Sequence, residues 1–256
     1  LVEHEVVLAE AASVRIERGG ATTTWRFSVD PDLDPKIRLI GQPEVQRTGS
    51  VKLAYEMSDD YGVTYAEARF EPAPEAFGIT STARDVRPLV AAPEFPLTLP
   101  PGRARSGQAQ TFRDLASHPW AGAKVRMTLV ARDDANQEGR SETVETTLPQ
   151  KNFSKPLARA LVEQRRILAL DANRAPRVTD AVDALMIAPE KFIDDASVFL
   201  GMRMVRQALV GAKTDDDLRA TLDLIWAVAL SIEDGDLTDA EKALRRTHRE
   251  RDMTVL

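Results

Sequence analysis

The chain has 256 residues, 43% hydrophobic and 29% charged, with a net charge of -6 and no cysteine. That is enough chain for about two domains with cores of their own, and the balance excludes a disordered or fibrous protein. The acidic surplus argues against nucleic acid or anionic lipid as a partner, and the lack of cysteine removes disulfides, thiolate metal sites and thiol nucleophiles together.

The first residues, Leu1-Val2-Glu3-His4, carry neither an initiator methionine nor the regions of a signal peptide, and read as the start of a mature or excised segment. Strands are expected over 14–17 and 22–29, joined at Gly19-Gly20. Two strands seldom stand alone, so residues 1–30 read as the terminal hairpin of a truncated preceding β domain. Residues 31–150 read as an immunoglobulin-like antiparallel β-sandwich. Val51, Leu53, Tyr55 and Met57 alternate with polar residues, as do Val125, Met127 and Leu129, and then Val144, Thr146 and Leu148. Turns at 59–62 and 133–139 separate these runs, and about seven strand candidates suit a sandwich. Prolines at 72, 74, 88, 93, 96, 100 and 101 leave room between 70 and 111 only for short edge strands and a long loop.

Near Pro149 the apolar period changes from two to between three and four, and residues 154–256 read as an α-helical bundle. Ser154 is the expected N-cap of a first helix, with Pro156 in its first turn and Leu157, Leu161 and Leu168 on one face. Helices near 178–187 and 194–211 follow, separated by Pro189. Thr214 with Asp217 is a capping-box variant. It opens a helix whose Leu218, Leu222, Ile225, Trp226, Ala229 and Ile232 form a broad apolar stripe. A turn at Asp234-Gly235-Asp236 and a second box at 238–241 predict a last helix packed back on it, a hairpin like a single tetratricopeptide unit. The longest apolar run, 222–230, contains Asp223 and falls short of the ~20 residues that cross a bilayer.

The sequence holds no nucleophile elbow, P-loop or dinucleotide fingerprint, and no histidine pair has metal-site spacing. Asp114, His118 and Trp120 form a polar turn that ends in a large ring. The structural reading is that Trp120 fills the core while Asp114 and His118 hold the turn; the rival reading is a pocket between sandwich and helices, serving a ligand or a reaction. Asp30, Asp32, Asp34, Asp59, Asp60, Asp133 and Asp134 are oxygen donors of the kind calcium takes. An EF-hand fails on Pro35 and Gly41, which stand where that loop needs glycine and a bidentate glutamate. Aspartates in turns ordinarily cap their own backbone amides, and a calcium reading requires these turns to meet in space. Arg159, Arg165, Arg166 and Arg174 are interspersed with acids and read as a solvated mixed-charge face. No cofactor is expected.

As an ordered set, several segments resemble a known family. They are Asp59-Asp60-Tyr61-Gly62-Val63, Ser117-His118-Pro119-Trp120-Ala121-Gly122, Leu148-Pro149 with Phe153, Pro156-Leu157-Ala158-Arg159, Glu163-Gln164-Arg165-Arg166, and the stretch from Trp226 to Leu237. Together they resemble the domain of unknown function 4175 family, whose alphaproteobacterial members carry transmembrane helices ahead of a large envelope-facing region and continue into long charged helices. The resemblance implies a membrane-anchored protein with this region on the periplasmic side of the inner membrane, and it implies no activity, cofactor or catalytic residue. The expected function is a non-enzymatic scaffold or docking surface for a protein partner in the envelope, with membrane contact only through segments outside this chain. The alternatives are a calcium-stiffened adhesion or stalk module, and a ligand-binding domain or enzyme.

Overall fold

The structure, a computed structural model, describes residues 10–46, 49–74, 86–101, 105–187 and 196–234. Strands β1 (Ala12–Arg18) and β2 (Ala21–Phe27) pair antiparallel around Gly19 and Gly20, whose φ angles of 58° and 85° suit a glycine turn. This hairpin is a sheet of its own, and every residue of β2 is exposed.

Among the described residues nine further strands follow: β3 (Lys36–Leu39), β4 (Glu44–Val45), β5 (Ser50–Ser58), β6 (Tyr65–Pro72), β7 (Glu94–Pro96), β8 (Ser106–Asp114), β9 (Lys124–Arg132), β10 (Glu138–Arg140) and β11 (Val144–Thr147). They form two antiparallel sheets. In one, β8 pairs along the whole length of β5, and β3 and β4 take its other edge in succession, with Lys36 opposite Ser58 and Glu44 opposite Lys52. In the other, β9 lies between β6 and the successive strands β10 and β11, and β7 closes the far edge of β6. The alternation read from sequence governs burial: Val51, Leu53, Tyr55 and Met57 of β5 and Val125, Met127, Leu129 and Ala131 of β9 point into one apolar core.

Strand β8 departs from expectation, since nine residues of regular strand begin within the proline-rich stretch. Its inward positions are Gly107, Ala109 and Thr111, which give no apolar alternation to read. Pairing with β5 holds it in place, as does a buried polar knot. Tyr55 Oη donates to the Thr98 carbonyl at 2.8 Å and shares a hydrogen bond with Thr111 Oγ1, which also accepts from the Thr98 amide at 2.8 Å.

Four α-helices follow among the described residues: α1 (Pro156–Leu170), α2 (Ala175–Leu185), α3 (Ala196–Gly211) and α4 (Asp215–Asp234). Ser154 does not cap α1. Lys155 takes that position without a side-chain cap bond, and the Ser154 amide and hydroxyl instead donate to Glu233 near the end of α4. The box at α4 forms as expected: the Asp217 amide donates to Thr214 Oγ1 at 3.2 Å, and the Thr214 amide to Asp217 Oδ2 at 3.1 Å. Leu218, Leu222, Ile225, Ala229 and Ile232 are buried, and Leu224 and Val228 widen that stripe as α4 packs against α1 and α3. Pro189, the turn after Asp234 and the helix expected from 238 lie outside the described residues.

Candidate functional site

Strand register defines two ends of the β region. At one end β8 stops at Asp114, β9 starts at Lys124 and β11 stops at Thr147, and the helices dock there. At the other end β5 stops at Ser58, β6 starts at Tyr65, β9 stops at Arg132 and β10 starts at Glu138. Each end gathers one group of the residues singled out from sequence.

At the helix end, Asp114, His118 and Trp120 share one turn. Asp114 Oδ1 accepts from the Ala116 amide at 2.9 Å, and His118 Nδ1 accepts from the Trp120 amide at 3.1 Å. Trp120 is buried, and its indole donates to the Val90 carbonyl at 3.1 Å. Burial in the first place, and the nearby Arg165 charge in the second, push the His118 imidazole down to about 4, so the ring is neutral at pH 7 and its Nδ1 is free to accept. Both side chains serve the backbone of the turn, and the nearby Ser117 offers its carbonyl to Arg165.

The residue that organises this end is Arg165, and it is not on a solvated face as expected: it is 4% exposed. Arg165 Nε donates to the Leu222 carbonyl of α4 and Nη1 to the Ser117 carbonyl of the β region, each at 3.1 Å. The guanidinium lies 4.7 Å from the centre of the Trp226 ring, and Trp226 meets Phe153 edge-on at 5.6 Å. Burial pulls the Arg165 guanidinium down to about 10, an effect opposed by Asp223, and it stays charged at neutral pH. One planar cation with a fork of donors thus ties both layers and an aromatic face together. A signal for this was present, because Leu161, Arg165 and Leu168 stand at i, i+4 and i+7, the spacing of a buried stripe. Arg159 is exposed as expected, Arg166 is half-buried, and Arg174 pairs with Asp171 at 3.4 Å.

A second contact comes from residues 86–90, which run across the end of α1. The Leu89 and Val90 amides donate to the Ala169 carbonyl at 3.1 and 3.2 Å, and the Ala172 amide donates to the Arg87 carbonyl at 2.8 Å. Buried Asp171 accepts from the Arg87 amide at 3.2 Å, Arg87 pairs with Asp215, and Arg219 Nε reaches the Leu89 carbonyl at 3.0 Å. Phe153, 6% exposed, fills the remaining gap at the junction between strands and helices.

At the opposite end the acidic turns meet. Lys36 pairs with Ser58, the Asp59 amide donates to the Arg105 carbonyl, and the Thr64 amide to the Arg132 carbonyl, each of the last two at 2.8 Å. The segment carrying Asp32 and Asp34 therefore lies beside the turns carrying Asp59, Asp60 and Asp133. Asp59 Oδ2 accepts from the amides of Tyr61 at 3.1 Å and Gly62 at 2.6 Å, and Asp133 Oδ1 accepts from the Gln137 amide at 2.8 Å. Desolvation first, then the negative charges of Asp133, Asp60, Asp59 and Asp34, raise the Asp32 carboxyl. Asp30 and Asp134 are exposed. Among the described residues, no group of three or more histidine, aspartate or glutamate side chains is placed to hold a metal ion, and no helix is long and apolar enough to cross a membrane.

A family model described as a domain of unknown function (DUF4175) matches residues 1–252. No curated protein matches. Among solved structures, Astrotactin-2, described as a conserved vertebrate-specific and perforin-like membrane protein involved in neuronal development, is similar at 14% identity with a TM-score of 0.30. The similarity covers 86% of this chain and 37% of that one, and at that score it carries no argument.

Proposed function

The chain belongs to the domain of unknown function family DUF4175, and from that premise we propose that it is a non-enzymatic scaffold in which a β-sandwich and a helical layer act as one rigid docking unit. We read the two sheets as an immunoglobulin-like sandwich. Counting β3 with β4 and β10 with β11 as single lines leaves three lines in one sheet and four in the other, the number such a sandwich uses.

The observation that carries the scaffold reading is what the polar residues of the junction do. Arg165, His118, Asp114 and Asp171 are the groups a reaction could recruit, and each is engaged in binding backbone or closing the junction. A buried charge held this way favours one arrangement of the two layers over others. The reading places the unit on the periplasmic side of the inner membrane within a longer anchored protein, with a protein as its partner; the family resemblance supports that placement.

Photocrosslinking from exposed Phe112 on the β layer and exposed Leu200 on the helical layer, in the intact protein in its own membrane, tests the proposal. A rigid docking unit gives defined protein adducts from both positions, and Arg165→Ala alters both patterns together. If His118→Gln or Asp114→Asn abolished a biological activity while leaving fold and adducts unchanged, the scaffold reading would fall to an enzyme or ligand site at this turn.

A further inference from the structure

Strand β8 ends its sheet. Among the described residues it pairs with β5 alone, in unbroken register from Ser106 to Asp114. The phase of that ladder is fixed at both ends, because the Asp59 amide donates to the Arg105 carbonyl at 2.8 Å and the Leu115 amide to the Gly49 carbonyl at 3.3 Å. Bonded pairs alternate along an antiparallel ladder, so the odd-numbered residues of β8 bond to β5. The amides and carbonyls of Ser106, Gln108, Gln110, Phe112 and Asp114 therefore point away from the sheet, and all of these residues are exposed.

An open edge is a template for another strand, and proteins ordinarily blunt it with charge, proline or brevity. The other outer strands of the two sheets are blunted in this way. β3 follows Pro35 and carries Lys36 and Arg38, β4 has two residues, β7 has three and ends at Pro96, β10 carries Glu138 and Arg140, and β11 carries Glu145. From Ser106 to Phe112, β8 has neither a charge nor a proline, and Phe112 is 61% exposed. In a chain of net charge -6, a neutral edge is where two copies approach with least repulsion.

The strand is also complementary to itself. Turned antiparallel about a two-fold axis at Gln110, it sets Gln110 against Gln110 of the second copy, Gln108 against Phe112, Ser106 against Asp114, Ala109 against Thr111 and Gly107 against Arg113. Even-numbered residues meet even-numbered ones, so each outward amide finds an outward carbonyl. No like charges face each other, the two Gln110 amides each offer a donor and an acceptor, and the Ser106 hydroxyl stands opposite a carboxylate acceptor.

We propose that the free edge of β8 pairs antiparallel with β8 of a second copy of this chain, about a two-fold axis at Gln110, so that one sheet runs through both chains. The contact is isologous and closes at a dimer. An edge this narrow buries less than the roughly 800 Å² per partner of a standard interface, so backbone pairing carries it and the dimer dissociates on dilution.

Sedimentation equilibrium of the whole chain measures the association, and a chain without cysteine makes single introduced cysteines clean reporters of its register. A monomer–dimer equilibrium is expected, with the amides of Gln108, Gln110 and Phe112 exchanging hydrogen more slowly as the dimer fills. Gln110→Cys should crosslink to itself under mild oxidation, because bonded partners stand about 5.5 Å apart between Cα atoms, within disulfide reach. Gln108→Cys alone should not, since its counterpart lies about 13 Å along the strand, whereas Gln108→Cys mixed with Phe112→Cys should. Gln110→Pro removes an outward amide that β5 does not use, and Gln110→Lys sets two like charges on the axis. Each should keep the circular dichroism of the parent and raise the dissociation constant by about tenfold or more. A monomer at every concentration, a dimer unmoved by both substitutions, or Gln108→Cys crosslinking to itself as readily as Gln110→Cys overturns the proposal. So does protection of the three amides in a monomer, which would mean that another segment of the same chain takes the edge. A monomer leaves the scaffold reading standing, because that reading rests on the junction at Arg165.

Discussion

Replacing Arg165 by alanine isolates the contact that joins the β layer to the helices. The substitution removes two hydrogen bonds from a charged donor, each about 1.5–3 kcal/mol, and a cation–π contact over Trp226 of about 0.5–2 kcal/mol. Against these stands the cost of burying the charge. Burial pulls the guanidinium well below its ordinary range, to about 10, and at about 1.4 kcal/mol per unit that is about 3 kcal/mol. The net loss expected for Arg165→Ala is about 3 kcal/mol, part of it from the space the stem leaves. Arg165→Met keeps the stem and removes both the charge and its desolvation, so it should lie within about 1 kcal/mol of the parent. Urea unfolding followed by far-ultraviolet circular dichroism measures both differences, and tryptophan emission reports Trp226 beside the site. An alanine variant within 1 kcal/mol of the parent, or a methionine variant as unstable as alanine, would refute the assignment of Arg165 as the tie between layers.

Phe153→Ala should cost about 3 kcal/mol, as loss of a buried ring does, and should shift tryptophan emission to longer wavelength as water reaches Trp226; an unchanged spectrum would show that the two rings are not in contact. Gly139→Ala should destabilise by more than about 3 kcal/mol, because the new Cβ meets the Pro35 backbone oxygen rather than a movable side chain; a loss under 1 kcal/mol would contradict that packing. His118, held down to about 4 against an ordinary 6.5, contributes stability that is complete above pH 6.5 and is lost as pH falls toward 4. Allowing for the exposed edge of the ring, that is about 1–2 kcal/mol, and His118→Gln should flatten this part of the stability curve. Glu233, held at about 2 by the Ser154 hydroxyl and the amides of Lys155 and Ser154, stabilises above pH 4.5 and loses that contribution as pH falls toward 2; acid titration of Glu233→Gln should lack that step.

Much of the architecture was legible in the residues themselves. The hairpin at Gly19-Gly20, the alternation of β5 and β9, the change of period after Pro149 and the box at Thr214 each rest on interactions within a few positions of the chain. Strand β8 escaped because its inward face is glycine, alanine and threonine, so only a partner strand reveals it. Ser154 looked like a cap because its neighbours suited one; Glu233, 79 positions away, competes for the same amide and hydroxyl.

The same division runs through the candidate sites. Sequence alone determined that acids crowd three turns and that an arginine stands on the stripe of Leu161 and Leu168, since composition and helical spacing are local properties. Whether those acids meet was decided by register: Lys36 opposite Ser58, and Tyr65 opposite Arg132, bring three distant turns to one end. Whether Arg165 faces water was decided by packing, because α4 and the turn at Ser117 supply the carbonyls and the ring that make its burial tolerable. A charge or a carboxylate is a surface group or an interior one according to which long-range partners desolvate it, and a chain specifies those partners only once its strands and helices have paired.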